Sequence, residues 1–244
     1  MGIPSFYRRL CVAHKGLIGK QRGLKTAALY FDFNCLIYHV ARGNNMPVYT
    51  TQTHVSWEKT LLEKINDYVV HVWRQSGEPP EVFLAVDGVV PLAKIKQQRL
   101  RRFKSIWLQT QEPSTEPRWD TNCITPSTDF MKRLSTRLDT LCKKHKGWHL
   151  SSDMEPGEGE HKIMSYLRDH KDEKGPILIY GLDADLILLT MLNAPCEAYL
   201  MREDSEMGVV QTNIFGEESF SYFSIDVLKE TLWSTKTIEY LCLL

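Results

Sequence analysis

The sequence predicts an α/β fold in three layers, with helices on both faces of a mainly parallel central sheet. Short apolar segments typical of buried strands recur along the chain, separated by segments whose apolar residues recur at helical spacing. Such alternation is typical of parallel strands joined by helical crossovers. No linker divides the chain, so we expect residues 1–244 to form one domain.

Three segments are predicted to be strands of this sheet. Residues 27–33 (AALYFDF) are apolar and rich in aromatic side chains, with a single acid. Residues 81–86 (EVFLAV) follow the turn-like residues 77–80 (GEPP), and residues 176–180 (PILIY) are a further apolar run. Because continuous apolar runs suit strands that are covered on both faces, we expect all three in the interior of the sheet.

Helical periodicity marks the segments that separate these strands. In residues 57–73 apolar side chains recur at spacings of three and four, and residues 130–142 and 161–167 behave likewise. Another helix is expected from Pro91, since proline is favourable at the first helical position. Two segments are predicted to be loops: residues 42–56 and residues 109–121.

Composition excludes several classes of protein. Of the 244 residues, 43% are hydrophobic and 25% charged, which is ordinary for a globular protein and excludes a disordered tail, a collagen-like chain and a coiled-coil rod. No apolar run approaches the roughly 18 residues of a membrane span, and the N-terminus lacks a signal-peptide core. The six cysteines form no Cys-x-x-Cys motif, which favours reduced thiols. We therefore expect a cytoplasmic or nuclear protein that is not secreted and has no membrane partner.

Charge is segregated along the chain although the formal net charge is zero. Residues 94–104 (KIKQQRLRRFK) contain six positive residues and no acid. Residues 153–160 (DMEPGEGE) contain four acids and no base. The neutral total taken alone argues weakly against a nucleic-acid ligand, but it can conceal one basic surface and one acidic pocket.

Acids follow each of the three predicted strands, and a glycine-rich segment adds two more. Because the carboxyl ends of parallel strands meet at one edge of a sheet, we expect these carboxylates to converge in one crevice. The alternative is that each acid is only a turn or helix-cap residue. The acids are Asp32, Asp87, Asp183 and Asp185 after the strands, and Glu158 and Glu160 in the glycine-rich segment.

A crowded set of carboxylates favours hard divalent cations. Unpaired charges repel one another in a crevice, and oxygen ligands suit Mg²⁺ or Mn²⁺ better than zinc. Two such ions can support hydrolysis of a phosphodiester. The chain lacks a Gly-x-Ser-x-Gly elbow and a Walker loop. An aspartyl-phosphate phosphatase is disfavoured, because its Asp-x-Asp motif is replaced by Asp32-Phe33-Asn34.

The helix expected after Pro91 carries a candidate phosphate-binding face. The guanidinium group of arginine can donate two hydrogen bonds to phosphate oxygens, lysine adds a compact positive charge, and glutamine adds an uncharged hydrogen-bond donor. A solvated charged surface is the alternative interpretation. The residues that share the face, at spacings of three and four, are Lys94, Gln98, Arg101 and Arg102.

The sequence resembles the Xrn family of 5′→3′ exoribonucleases, which belongs to the wider FEN-like and PIN-like nuclease group. The matching segments occur in the family's order and span nearly the whole chain. The runs from Asp87 to Phe103 and from Pro156 to Ile163 are the most specific. The segments are residues 1–8, 30–34, 86–103, 122–131, 156–164 and 180–189.

The resemblance implies metal-dependent hydrolysis of single-stranded RNA that carries a 5′-monophosphate, with release of mononucleotides. It implies that the six acids named above are the catalytic and metal-site carboxylates, holding two Mg²⁺ or Mn²⁺ ions. It also implies that the four residues of the basic face bind the 5′-phosphate. Tyr38 stands where the family usually has a histidine that stacks on the first base.

Family members are much longer, and in them a helix like the one expected at residues 240–244 leads into Gly-Asn-Asp-Phe, whose aspartate completes the metal site. We therefore expect a domain that lacks the C-terminal part of the family's catalytic region, with that segment or a protein partner completing the site. Two alternatives stay open. One is a FEN-like nuclease that acts on DNA or branched substrates, and the other is a catalytically impaired module that binds 5′-phosphorylated RNA or a protein.

Overall fold

The computed structural model describes residues 6–14, 16–19, 25–111, 117–170, 175–181, 183–206, 209–210 and 219–232. Three features of the sequence lie outside these ranges: the N-terminal residues 1–5, Leu182, and the apolar residues 240–244.

Seven of the described strands form one mixed sheet, in the order β1-β9-β6-β5-β2-β3-β4. The five strands from β6 to β4 run parallel, whereas β9 is antiparallel to β6 and β1 is antiparallel to β9. The predicted mainly parallel sheet is therefore confirmed. In chain order the strands are β1 (Ile18–Gly19), β2 (Ala28–Asp32), β3 (Glu81–Ala85), β4 (Trp148–Ser151), β5 (Ile177–Tyr180), β6 (Ala198–Glu203), β7 (Ser205–Glu206), β8 (Val209–Val210) and β9 (Phe220–Ser224).

Helices connect the parallel strands and cover both faces of the sheet. In the described ranges they are α1 (Phe6–Ala13), α2 (Phe33–Arg42), α3 (His54–Gln75), α4 (Leu92–Gln111), α5 (Asp129–Lys144), α6 (Gly159–Asp169), α7 (Asp185–Asn193) and α8 (Ile225–Leu232), with a short 3-10 helix at Thr121–Cys123. None of these helices combines the length and the apolar composition that crossing a membrane requires.

The core has two parts because β2 is buried on both faces. Leu29 and Phe31 point into the apolar layer formed with α2, α3 and α5. Ala28 and Tyr30 point into the layer formed with α6, α7 and α8. Full burial of one large apolar side chain contributes about 1.5–3 kcal/mol, so these two layers fix the position of β2 firmly.

Strand and helix ends differ from the sequence predictions in ways that follow from local chemistry. The first predicted strand ends at Asp32, and Phe33 already begins α2. Helix α3 begins at His54, before its apolar pattern, because Thr50 and Thr53 form a hydroxyl-bonded turn that precedes it. The predicted loop at 42–56 is therefore shorter than expected.

The predicted loop at 109–121 is also shorter, because α4 continues to Gln111, short of the helix-breaking Pro113. Strand β4 was not predicted. It forms the last strand of the sheet in the described ranges, and its mixed pattern Trp-His-Leu-Ser lacks the continuous apolar run of an interior strand.

Candidate active site

Four of the predicted acids lie at the carboxyl edge of the sheet. Asp32 is the last residue of β2, Asp87 follows β3 by two residues, and Asp183 and Asp185 follow β5. Strand β2 lies between β3 and β5, so Asp32 is central. The chain proceeds from β2 to β3 on one side and reaches β5 on the other, which makes this point the topological switch where α/β sheets bind ligands.

Glycines bring the other two acids to the same edge. Helix α6 begins at Gly159, with Glu158 immediately before it and Glu160 in its first turn. The Gly159 amide donates to Asp87 Oδ1 at 2.7 Å. A Cβ atom on residue 159 would lie 2.7 Å from Asp32 Oδ1, so only glycine allows this helix end to approach so closely. The helix N-terminus thereby directs its partial positive charge toward the acids.

The loop before α6 is held against the chain that follows β3. The Gly88 amide donates to the Gly157 carbonyl at 2.8 Å, and the Gly157 amide donates to the Val89 carbonyl at 2.9 Å. Gly157 has φ of +110°, a value that side chains rarely tolerate. These two bonds fix the distance between the segment that carries Asp87 and the segment that carries Glu158.

Electrostatic coupling shows that the six acids form one cluster. Burial raises the pKa of Asp32 well above its usual range, and the charges of Asp87, Glu160, Asp183 and Glu158 raise it further. Burial, followed by Glu158 and Asp185, raises the pKa of Glu160 to about 7. The pKa of Asp87 is raised by burial and is partly restored by the Gly159 amide. Negatively charged carboxylates are therefore crowded together, and too few positively charged groups lie near them to balance their charge.

The donor set fits a hard divalent cation. Carboxylate oxygens dominate the cluster, and their raised pKa values mean that a bound cation would relieve both desolvation and repulsion. Glu158, Glu160 and His161 can place one ligand atom each within 4.8 Å of one another. Asp183 is exposed and Asp32 buried, so the cluster extends from solvent to the sheet edge. His161, which follows Glu160 directly, was not among the predicted site residues.

Helix α4 forms the basic wall that faces this cluster. Lys94, Gln97, Gln98 and Arg101 line a cleft of about 230 Å³, with Asp183, Ala184 and Asp185 across it. The Lys94 ammonium lies 2.8 Å from Glu158 Oε2. That hydrogen bond raises the pKa of Lys94, so the lysine stays charged. The basic and acidic segments of the sequence thus meet in one cleft.

The structure modifies the predicted basic face in two respects. Arg102 does not line the cleft, and it acts instead on the neighbouring Tyr38, where its charge opposes the rise in pKa that burial causes. Gln97 lines the cleft but was not predicted, although its spacing of three from Lys94 placed it on that side of the helix.

Tyr38 lies on α2 close to this basic helix. Burial raises its pKa, while the charges of Arg101, Arg102 and Arg42 lower it. The Arg42 guanidinium carbon lies 5.5 Å from the centre of the Tyr38 ring. The next residue, His39, instead approaches Glu203, with Nδ1 4.0 Å from Oε1. The Tyr38 ring therefore lies close enough to these arginines for their charges to act on it.

Two polar side chains that the sequence did not single out support the turn that carries Asp87. Lys162 donates to the carbonyls of Val86 and Ser152, each at 2.7 Å. Its burial lowers its pKa. The side-chain Oδ1 of Asn34 accepts a hydrogen bond from the Asp87 backbone amide at 3.2 Å. Both residues lie in segments that match the family, but their roles could not be predicted, because each depends on contacts between segments that are distant in sequence.

The fold and the site together define a class: an α/β domain with a carboxylate cluster suited to divalent cations beside a helix suited to phosphate. Residues 1–204 match the family described as the XRN 5′-3′ exonuclease N-terminus. The chain belongs to this family. Its fold is that of a PIN-like nuclease domain, which confirms the predicted fold class, and membership implies a nuclease that depends on a divalent metal.

Proteins with similar sequences carry consistent names. The chain is 34% identical to 5′-3′ exoribonuclease 1 of Saccharomyces cerevisiae over 238 residues, covering 85% of this chain. It is 34% identical to human 5′-3′ exoribonuclease 1 over 239 residues, covering 87%. It is 30% identical to 5′-3′ exoribonuclease 2 of Arabidopsis thaliana over 261 residues, covering 83%. The chain spans only 15%, 14% and 25% of those three proteins.

Proposed function

We propose that this chain is the nuclease domain of a 5′→3′ exoribonuclease that degrades 5′-monophosphorylated single-stranded RNA to mononucleotides. The observation that carries the proposal is the cleft in which Lys94 and Arg101 of α4 face Asp183 and Asp185. A 5′-phosphate bound to the basic wall would bring the first phosphodiester of an RNA close to the carboxylates. The names of the relatives support the same activity.

We propose that the carboxylate cluster holds two Mg²⁺ or Mn²⁺ ions. Bound cations would supply an activated water and would stabilise charge that develops on the leaving oxygen. The buried carboxylates, Asp32 above all, would anchor the cations, and the exposed Asp183 would leave one side open to substrate. The ligands in this proposal are Asp32, Asp87, Glu158, Glu160, Asp183 and Asp185.

The basic helix would select the end of the RNA. Lys94, Gln98 and Arg101 would donate to the 5′-phosphate, while Arg102 would act beside Tyr38. The Lys94–Glu158 ion pair would orient the lysine before RNA binds. The Tyr38 ring would stack on the first base, since any aromatic face can do so.

The remaining expectations are part of this proposal. The seven-stranded sheet takes its strands from residues 18 to 224, which supports one domain across residues 1–244. The five cysteines in the described ranges are not joined to one another by disulfides. We propose a reducing compartment, cytoplasmic or nuclear, as the place of action.

The decisive experiment compares 5′-monophosphate and 5′-hydroxyl forms of one RNA. Arg101→Ala should slow release of mononucleotides from the 5′-monophosphate RNA by about tenfold or more, because a charge-assisted hydrogen bond contributes about 1.5–3 kcal/mol. The loss on the 5′-hydroxyl RNA should be much smaller. Arg99→Ala, on the opposite side of α4, is the matched control and should change neither rate.

Metal dependence provides the second arm of this experiment. Asp185→Ala should abolish Mg²⁺-dependent release while RNA binding persists. Cleavage that persists in EDTA would overturn the metal mechanism. Equal losses of rate on both RNAs would show that Arg101 only attracts the RNA backbone and does not recognise the 5′-phosphate. Equal cleavage of DNA would favour the FEN-like alternative. Binding of 5′-phosphorylated RNA without any turnover would favour the catalytically impaired module.

A further inference from the structure

Helix α4 has a second face that the proposed nuclease reaction does not use. Every residue of α4 whose side chain is described is at least partly exposed, although the helix is 20 residues long. Leu100, Phe103 and Trp107 are 70%, 62% and 60% exposed. These three residues recur at spacings of three and four, so they form one apolar seam along the helix. A 20-residue helix that leaves its large apolar side chains exposed is typical of an interaction surface.

The seam lies on the side of α4 away from the cleft. At about 100° per residue, Lys94, Gln98 and Arg101 share one side of the helix. Phe103 and Trp107 then fall on the opposite side, and Leu100 lies between them and Gln97 at the edge of the cleft. The seam is therefore accessible while the cleft is in use, and an occupant of the seam would leave the phosphate wall free.

Cations flank the seam. Arg99 and Lys104 border it on its two sides, in the manner of the flanking positions of a coiled coil, and Lys96 lies within it one turn before Leu100. Residues 88–111 contain six positive residues and no acid. A second copy of this helix would bring the same cations into opposition and be repelled. Charge complementarity instead selects a partner with acidic flanks.

We propose that this face of α4 docks an amphipathic helix of a protein partner, with apolar residues on its seam and glutamates or aspartates beside them. The partner's apolar residues would cover Leu100, Phe103 and Trp107, and its acids would pair with Arg99 and Lys104. This association is separate from RNA degradation in the cleft.

Two other occupants fit the face less well. Single-stranded RNA stacks on aromatic rings, but Leu100 and the neighbouring Ile106 offer no ring to a base, and they form much of the exposed apolar surface. A lipid surface suits a broad apolar face, whereas this seam is narrow and contains Lys96, whose charge is costly among acyl chains. A protein helix can cover the aliphatic residues and offer an acid to the lysine.

The test measures binding of the whole chain to a fluorescent three-heptad peptide with leucines on its seam and glutamates at its flanks. We expect saturable binding that weakens at least about tenfold in the Phe103→Gln/Trp107→Gln double variant. Charge reversal in Arg99→Glu/Lys104→Glu should weaken it similarly. The same peptide with lysine in place of glutamate should not bind. The Phe103→Gln/Trp107→Gln variant changes only uncharged, exposed side chains outside the cleft, so its RNA cleavage serves as the control for folding and should be unchanged. Because Lys104 lies one turn after Arg101, the folding of the charge-reversal variant is checked by urea unfolding instead.

Several results would overturn the proposal. Failure of the glutamate peptide to bind, or equal binding of the lysine peptide, would contradict the charge argument. Binding of an oligoribonucleotide or of phosphatidylserine vesicles that both double variants abolish would assign the face to RNA or to lipid. Concentration-dependent dimers that disappear in the Phe103→Gln/Trp107→Gln variant would assign it to a second copy. RNA turnover is measured in a separate experiment, so a negative result for peptide binding would not bear on the proposed nuclease activity.

Discussion

Replacement of Glu160 by glutamine should stabilise the metal-free chain at neutral and alkaline pH. Glu160 lies in the carboxylate cluster, and its pKa is about 7 in the fold against 4.5 for the free side chain. The folded chain therefore binds more protons than the unfolded chain between these two pH values. It follows that stability falls as pH rises from 4.5 towards 7 and stays reduced above 7.

The magnitude follows from that difference in pKa. Each pKa unit corresponds to about 1.4 kcal/mol, so ionisation of Glu160 in the fold costs about 3 kcal/mol. Glu160 also lies in the first turn of α6, where a negative charge contributes about 0.3–1 kcal/mol of stability that glutamine would forfeit. Glu160→Gln should therefore raise the free energy of unfolding by about 2–3 kcal/mol at about pH 8 without divalent cations.

Urea unfolding in EDTA, at about pH 5 and about pH 8, provides the measurement. The gain in the variant should be confined to the higher pH, since Glu160 is mostly protonated in the folded chain at the lower one. Saturating Mg²⁺ should stabilise the original chain more than the variant, because the cation relieves repulsion only where the charge is present. Glu230→Gln, an exposed site on α8, is the matched control and should change little.

An equal gain in Glu230→Gln would show that the effect is one of net charge and not of the cluster. A gain of the same size at both pH values would show that repulsion between ionised carboxylates is not its cause. Either result would refute the reasoning.

Three further predictions concern packing and binding. Gly159→Ala should destabilise the chain by about 1–3 kcal/mol and weaken Mg²⁺ binding measured by calorimetry, because its Cβ would lie 2.7 Å from Asp32 Oδ1 and from the Ala85 carbonyl. Lys162→Met should cost about 1–3 kcal/mol in urea unfolding, since the Val86 carbonyl loses the lysine donor while the Ser152 carbonyl keeps the Glu155 amide. Tyr38→Ala should weaken binding of single-stranded RNA about tenfold by fluorescence anisotropy, whereas Tyr38→Phe should preserve it.

Each of these has a control or a contrary outcome. Gly16→Ala adds a Cβ with nothing within 4 Å and should be neutral, so similar losses at both glycines would reject the steric argument. Lys143→Met removes a lysine that is 74% exposed and should cost little. Equal weakening by the two Tyr38 variants would assign its role to the hydroxyl and not to the ring.

The sequence predicts the parallel sheet and its acids well because both signals are local. The runs at 27–33, 81–86 and 176–180 are almost entirely apolar, as is typical of interior strands, and an acid lies near the end of the first and shortly after each of the others. Placement of Asp32, Asp87, Asp183 and Asp185 in one cluster then follows from the geometry of parallel strands, whereas Glu158 and Glu160 reach it through the close approach of Gly159. Their metal ligation and the assignments of the basic helix and Tyr38 remain predictions.

Other features of the site could not be predicted, because they depend on contacts across the fold. Lys162 supports the turn after β3 from a helix 76 positions away along the chain. The exposure of the apolar side chains on α4 could not be predicted either, because the spacing of Leu100, Phe103 and Trp107 is equally typical of a buried helix. Strand β4 was missed because it is short and half-polar.

The strand order also bears on how the chain is made. Strands β2, β3 and β4 lie side by side and leave the ribosome before β5, which covers the other edge of β2 and is not complete until Tyr180. Until then β2 is an exposed edge strand, apolar on both faces, and such edges invite pairing with other chains. The nascent chain therefore passes through a stage at which its central strand needs protection, and we expect chaperones to be most important for its yield at that stage. Once β5 pairs with β2, the same event closes the edge and brings Asp183 and Asp185 to the site.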